Sequence, residues 1–137
     1  MPDLNEFNRN LIEEFRANGG KVSGMFERSP LVILTTIGAQ SGQPRTFPVV
    51  YTRDGERLVV VASKGGSDQN PAWYHNLVAH PTVTVELPDE TYQARAVVVE
   101  GDDRDRLYRA HADRMPQFDE YQAKTARRIP VVALERI

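Results

Sequence analysis

Cysteine is absent from this 137-residue chain. That absence excludes disulfides, thiolate zinc sites, iron–sulfur clusters and a cysteine nucleophile together. Histidine is scarce: His75, His80 and His111 are the three present. None stands at His-x-x-x-His or Glu-x-x-His spacing with another ligand, so no metal site is expected. No run approaches the roughly 18–20 apolar residues of a membrane span. The opening Met1 to Glu6 is polar and lacks a basic stretch followed by an apolar one. A cytoplasmic protein is expected, peripheral at most to the inner face of the membrane. Charge of neither sign prevails: 17 Lys and Arg against 19 Asp and Glu leave a net −2. No bulk positive field draws nucleic acid or acidic lipid, so a bound anion has to be held by a local set of donors. The length leaves no room for a second core, and one domain over residues 1–137 is expected.

What is present is ordinary globular material, 40% apolar and 26% charged. Residues 3–18 have helical periodicity, with Leu4, Phe7, Leu11, Ile12 and Phe15 on one face. Asp3 stands at the cap position and Gly19-Gly20 stops the run, giving an N-terminal amphipathic helix within residues 1–20. Such a helix packs on its domain; the alternatives are a weak membrane-surface contact or a flap over a substrate. Its polar face carries few cations (Arg9 and Arg16), which argues against strong lipid binding.

Strands follow. Leu31–Ile37 is β-branched and apolar on both faces, hence central, and Arg45–Thr52 contains Pro48, which marks an edge or a bulge. Asp54-Gly55 turns the chain into 57–63. Strands at 82–87, 92–99 and 131–135 complete the set. Helices are expected from the Asn70-Pro71 cap and first turn through Ala79, from Gly101 to Arg114, and from Phe118 to Ala126 beyond Pro116. Six short, mostly hairpin-linked strands with few helices predict a mainly β (α+β) fold, a small antiparallel barrel.

Three segments stand out. Thr36–Arg45 ends a buried strand in a turn of small residues and opens the next strand with Arg45. Backbone N–H groups in such a turn can form an anion nest, to which an arginine adds a two-pronged donor. Taken alone, the segment reads first as a plain hairpin with a solvated arginine, since such turns are common. Val61-Ala62-Ser63-Lys64-Gly65-Gly66 ends a strand in small residues, then a cation, then glycines that permit close backbone approach. It is either a ligand-facing edge or a flexible loop. Asn70–Leu77 sets the chain's one tryptophan beside tyrosine, histidine and asparagine in a short helix. Trp73 and Leu77, four apart, face a core, while Asn76 is placed to reach a pocket beside it. Together these segments suit an elongated, acidic, aromatic ligand.

The strings TTIGAQSGQPRTFPVVY, VVVASKGGSDQNPAWYHNLVAHPTVTVEL and FDEYQAKTARRIPVVALE resemble the deazaflavin-dependent nitroreductase family of actinobacteria, which uses coenzyme F420. The resemblance runs from Leu31 to Leu134. It implies a split β-barrel of the FMN-binding kind and an oxidoreductase that passes a hydride from reduced F420 to a small organic acceptor, a quinone or a nitro or enone compound. It also implies site residues. Ala39, Gln40 and Ser41, with Arg45, Thr46, Phe47, Pro48, Val49 and Val50, match the segment around the coenzyme's phosphate and polyglutamate side. Lys64 matches the lysine that neutralises this tail. Val61, Ala62 and Ser63 match the strand edge facing the ring, and Ala72, Trp73, Tyr74, His75 and Asn76 the helix that closes the pocket. Ser63 and Tyr121 are the candidate catalytic residues, and Met115, Phe118 and Tyr121 the candidate acceptor lining. Met115 and Phe118 stand where the nitroimidazole-activating member has tyrosine, a departure that favours quinones. A non-catalytic coenzyme carrier and an FMN-binding split-barrel protein are the alternatives, and the chain is expected as a monomer or homodimer.

Overall fold

The computed structural model describes residues 4–27 and 29–137; the Asp3 cap lies outside them. The described chain runs α1 (Leu4–Ala17), β1 (Leu31–Ile37), β2 (Pro44–Val50), β3 (Thr52–Asp54), β4 (Arg57–Val61), α2 (Ala72–Ala79), β5 (Thr82–Glu86), β6 (Thr91–Val99), α3 (Gly101–Arg114), α4 (Gln117–Ala123) and β7 (Val131–Arg136). The strands form one antiparallel sheet in the order β2-β1-β5-β6-β7-β4-β3.

Seven strands replace the expected six, for a definable reason. The run expected as one strand changes partner at Tyr51: β2 pairs with β1, whereas β3 pairs with β4. Tyr51 itself donates its N–H to Pro30 O at 3.1 Å. Because β2 and β3 lie at opposite ends of the strand order yet adjoin in the chain, the sheet curls and its ends meet at Tyr51. This is a split-barrel closure. Pro48 sits in unbroken register opposite Ile33, so it marks an edge strand and no bulge.

Alternation within strands divides the core. Val32, Leu34, Leu58, Val60, Val83, Val85, Val132 and Leu134 point into the barrel, where Trp73 and Leu77 of α2 join them. Their neighbours Leu31 and Ile33 point outward beneath Leu11, Ile12 and Phe15 of α1. Val59, Val61 and Val131 point outward beneath α3 and α4, against Leu107, Tyr108, Met115 and Phe118. Leu11, Ile12 and Phe15 of the α1 stripe therefore pack on the barrel while Phe7 stays 38% exposed, and Arg16 fastens the helix to β5 through Glu86 at 2.8 Å. Among the described residues no helix is long and apolar enough to cross a membrane.

Three element ends depart from expectation. Helix α2 begins at Ala72, not Asn70: Pro71 is extended (φ −68°, ψ 158°), and Asn70 Oδ1 accepts a hydrogen bond from Arg127 instead of capping the helix. Strand β4 stops at Val61, because Ser63 turns to helical angles (φ −77°, ψ −39°) and Arg127 takes the carbonyls of Ala62 and Ser63. Helix α4 ends at Ala123, three residues early, where the Thr125 hydroxyl donates to Asp68 at 2.8 Å.

Candidate functional site

Strand directions decide which segments meet. With every pairing antiparallel, the C-terminal ends of β1, β4 and β6 and the N-terminal ends of β2, β5 and β7 share one end of the barrel. The 38–43 turn, the 62–71 loop, the start of α2 and the 124–130 segment therefore gather at that end. A groove of about 940 Å3 opens there. One wall is the β1–β2 turn with the start of β2 (Ala39, Gln40, Ser41, Arg45, Thr46 and Phe47), and Ala72, His75 and Asn76 of α2 adjoin it. The other wall is α1, through Asn8, Arg9, Ile12, Glu13 and Arg16.

Asn76 fixes the turn. It is 7% exposed; its Oδ1 accepts the Ala39 N–H at 2.9 Å and its Nδ2 donates to Thr36 Oγ1 at 3.0 Å. Both ends of a buried amide are thus satisfied, and the turn is tied to α2. Arg45 is exposed beside it, and neither Arg45 nor Arg9 forms an ion pair among the described residues. Arg16, by contrast, is spent on Glu86, whose hydrogen bond raises the guanidinium's pKa above its ordinary value.

The loop after β4 carries the second set. Ser63 is buried, Lys64 is exposed, and Lys64 is the one non-glycine residue with positive φ (47°) among those described. Such a left-handed residue costs roughly 1–3 kcal/mol and persists only when its surroundings impose it. Gly66 (φ 85°) packs so closely on α4 that a Cβ there would lie 2.8 Å from Tyr121 O, so only glycine fits. The loop and Tyr121 are thereby brought together. Arg127, which the sequence reading passed over, reaches this loop with four hydrogen bonds. Its available signal is the Arg127-Arg128 pair before Ile129-Pro130. The α1 wall was foreshadowed only by the alternative of a flap over a substrate, because the periodicity of a helix names its buried face and not what its rim borders.

Of the remaining sequence candidates, Ala62, Val49 and Trp73 lie in the barrel core, and Val61 lies under α3 and α4. Pro48, Val50 and Tyr74 are half-buried, and none of these seven, nor Lys64, lines the groove. Met115 and Phe118 are 6% and 3% exposed in the α3–α4 core, with Tyr121 half-buried against the Phe118 ring at 5.1 Å. Behind them His111 is fully buried, sharing a hydrogen with Thr52 Oγ1 at 3.0 Å through Nδ1. Its Nε2 has no partner, its ring meets Phe118 edge-on at 4.4 Å, and burial lowers its pKa to about 4.

Comparison with known proteins agrees with this architecture. Residues 7–136 match the model of the F420H(2)-dependent quinone reductase family. An F420H(2)-dependent quinone reductase of Mycobacterium tuberculosis is 36% identical over 89% of this chain and 85% of its own. The chain belongs to the F420H(2)-dependent quinone reductase family. Among solved structures, an F420-H2-dependent reductase termed FDR-A superposes with a TM-score of 0.72 at 38% identity, covering 77% of this chain and 94% of that one. A protein described as a domain-swapped dimer reaches 0.73 at 35% identity, covering 93% and 96%. Membership makes the chain an oxidoreductase whose cofactor is reduced coenzyme F420, rather than a carrier or an FMN protein.

The residues at the groove fit such a coenzyme. A long acidic ligand needs an open trough and cations not already neutralised, and the groove offers about 940 Å3 with Arg9 and Arg45 unpaired.

Proposed function

We propose that this quinone reductase seats the phosphate and glutamate tail of reduced F420 in the groove between α1 and the β1–β2 turn, with Arg9 and Arg45 as the groove's cations and Lys64 reaching the tail from the 62–70 loop at the same end of the barrel. The observation that carries the reading is pairing: in a chain of net charge −2, the groove arginines other than Arg16 have no carboxylate partner among the described residues. Ser41 and Gln40 add polar contacts on the tail side, and Ala39 to Ser41 wrap the phosphate. Ala72, His75 and Asn76 border the tail where it approaches the ring, and Thr46 and Phe47 continue the wall. Val61, Ala62 and Ser63 back the deazaflavin, with Trp73 and Tyr74 supporting from α2.

When bound, the reduced deazaflavin supplies a hydride, since carbon replaces the flavin nitrogen at position 5. The chain's own task is to hold donor and acceptor face to face. Ser63 orients the bound pair by hydrogen bonding, and Tyr121 orients a quinone oxygen or delivers a proton to it. Met115 and Phe118, buried in the α3–α4 core, act on the acceptor only through Tyr121, which packs against that core and gains an apolar support that favours planar quinones over nitroimidazoles. With Leu11, Ile12 and Phe15 of α1 packed on the barrel and few cations on its polar face, the reading is a cytoplasmic enzyme with weak membrane contact at most. A homodimer is the assembly supported by the domain-swapped relative.

Fluorescence titration with F420 and with FMN tests the site, and oxidation of reduced F420 by menadione, followed by absorbance, tests the reaction. Selective F420 binding with menadione-dependent oxidation is expected. FMN bound as tightly as F420 would sink the assignment of the tail groove.

A further inference from the structure

Arg127 stands between α4 and β7, far along the chain from the atoms it holds. Its Nη2 donates to Ser63 O at 2.7 Å, its Nη1 to Ala62 O at 3.0 Å and Asn70 Oδ1 at 2.8 Å, and its Nε to Ser67 O at 2.9 Å. No carboxylate forms an ion pair with it, and burial lowers its pKa from the ordinary arginine value. A charge drawn partly out of water, with neutral hydrogen-bond acceptors and only a more distant carboxylate in Asp68, adds little to stability by itself. What it secures is geometric. The guanidinium is planar and its donors leave in fixed directions. Carbonyls on either side of Lys64 must therefore turn inward to meet it. Lys64, between them, is left with its positive φ of 47°.

We propose that Arg127 is a positioning residue for coenzyme binding, clamping the 62–70 loop so that Lys64 is held in its left-handed conformation at the groove end of the barrel. The assignment rests on the reading above that Lys64 meets the coenzyme's acidic tail. Lysine cannot replace Arg127, because one ammonium cannot reach three carbonyls and an amide in that plane. Arg127 acts through Lys64 and touches no ligand itself.

The test is a double-mutant cycle on the F420 dissociation constant, read by fluorescence, with melting temperatures alongside. Arg127→Lys should weaken binding about tenfold, a fold-change within reach of a lost charge-assisted contact. In the Lys64→Gln background the same change should cost nothing further. Asn70→Ala removes one acceptor and no charge; a smaller loss in the same direction is expected, without risk to folding. In the ligand-free protein, amide exchange at Gly66 and Ser67, which bond Ser63 O and Lys64 O, should accelerate in Arg127→Lys while β4 stays protected. Losses that multiply in the double variant, or unchanged binding and exchange in Arg127→Lys, would overturn the proposal. If the wild-type protein binds no F420, the functional reading fails and takes this assignment with it. If the wild type binds normally and the variants do not differ, only the role of Arg127 is lost.

Discussion

On the α3–α4 side of the barrel Arg57, Arg106, Arg109 and Arg128 each meet a carboxylate, whereas at the groove end Arg9, Arg45 and Lys64 meet none among the described residues. The paired side is closed on itself. Hydrogen bonds from Arg106, Arg128 and Arg109, foremost, hold Asp54, Asp105 and Asp119 below the ordinary carboxylate pKa. The groove end is open, and its cations are available to a ligand. A net charge of −2 conceals this difference, because composition counts charges and a site depends on which are already answered. The same contrast runs inward. The paired side covers a buried neutral histidine, while the groove end covers an asparagine and an arginine whose donors and acceptors hold loops in place.

The largest effect expected from this division is on the paired side and appears with acid. His111 has its pKa lowered to about 4 by burial, against an ordinary 6.5. Above pH 6.5 it is neutral folded or unfolded, and stability is full. Between 6.5 and about 4 the unfolded chain takes up a proton that the folded one refuses, so stability falls as pH falls, by about 3 kcal/mol in all. Urea denaturation across this range should show the loss, and His111→Gln should flatten it. The lowered carboxylates act in a separate window, their contribution disappearing only as pH drops below their ordinary 3.8. A wild-type protein equally stable at pH 7 and pH 5 would mean that His111 is hydrated or protonated in the fold.

Next in size is the groove end. Lys64→Gln removes an unpaired cation without altering the strained backbone, and should weaken F420 binding by about 1.5–3 kcal/mol, roughly tenfold to a hundredfold. Wild-type affinity should fall with added salt, and the variant's should fall less. Isothermal titration at two salt concentrations reads both. Equal salt slopes would return Lys64 to the solvent-exposed surface.

The strands and helices were legible in the sequence because alternation and capping are local. Val32 and Leu34 against Leu31 and Ile33 already encode a barrel wall with a helix behind it. The partner switch at Tyr51 was not legible, since closure depends on which distant strand each half meets. Asn76 was legible as a polar residue on the rim of an apolar helix face. Arg127 was not: an arginine bonding backbone carbonyls some sixty positions away leaves no spacing to read. The 39–47 segment could be named from motif resemblance, the α1 wall opposite it only as an alternative flap without its residues, and Met115 and Phe118 gave no sign of how deeply α3 and α4 bury them.

A smaller effect is expected at Asn76. Replacing it with alanine deletes two hydrogen bonds of ordinary strength, about 1–2 kcal/mol together. Thr36 Oγ1 keeps a longer bond to Arg45 O at 3.3 Å, which softens the loss. The melting temperature should drop by several degrees. Because the freed Ala39 N–H unties the turn that carries Gln40 and Ser41, F420 affinity should fall as well. A drop in stability with affinity unchanged would separate the turn from the coenzyme site.

The smallest effect is the one that isolates pairing as the cause. Arg109 makes the most complete ion pairs on the closed side, donating to both oxygens of Asp119 at 2.8 and 3.0 Å and to Asp113 at 2.9 Å. All three side chains are more than half exposed, at 54%, 53% and 66%. Exposed pairs of this kind add little, because water and the entropy of long side chains offset the attraction. Arg109→Ala should therefore leave the melting temperature close to wild type. It should also leave F420 affinity unchanged, although it removes the same unit of charge as Lys64→Gln. Salt at physiological strength screens a surface charge beyond about 8 Å, so only cations beside the ligand count. Titrating both variants with F420 in one buffer makes the comparison direct. If Arg109→Ala weakened binding as much as Lys64→Gln, the coenzyme would be responding to the total charge of the molecule, and the distinction between answered and unanswered cations would fail.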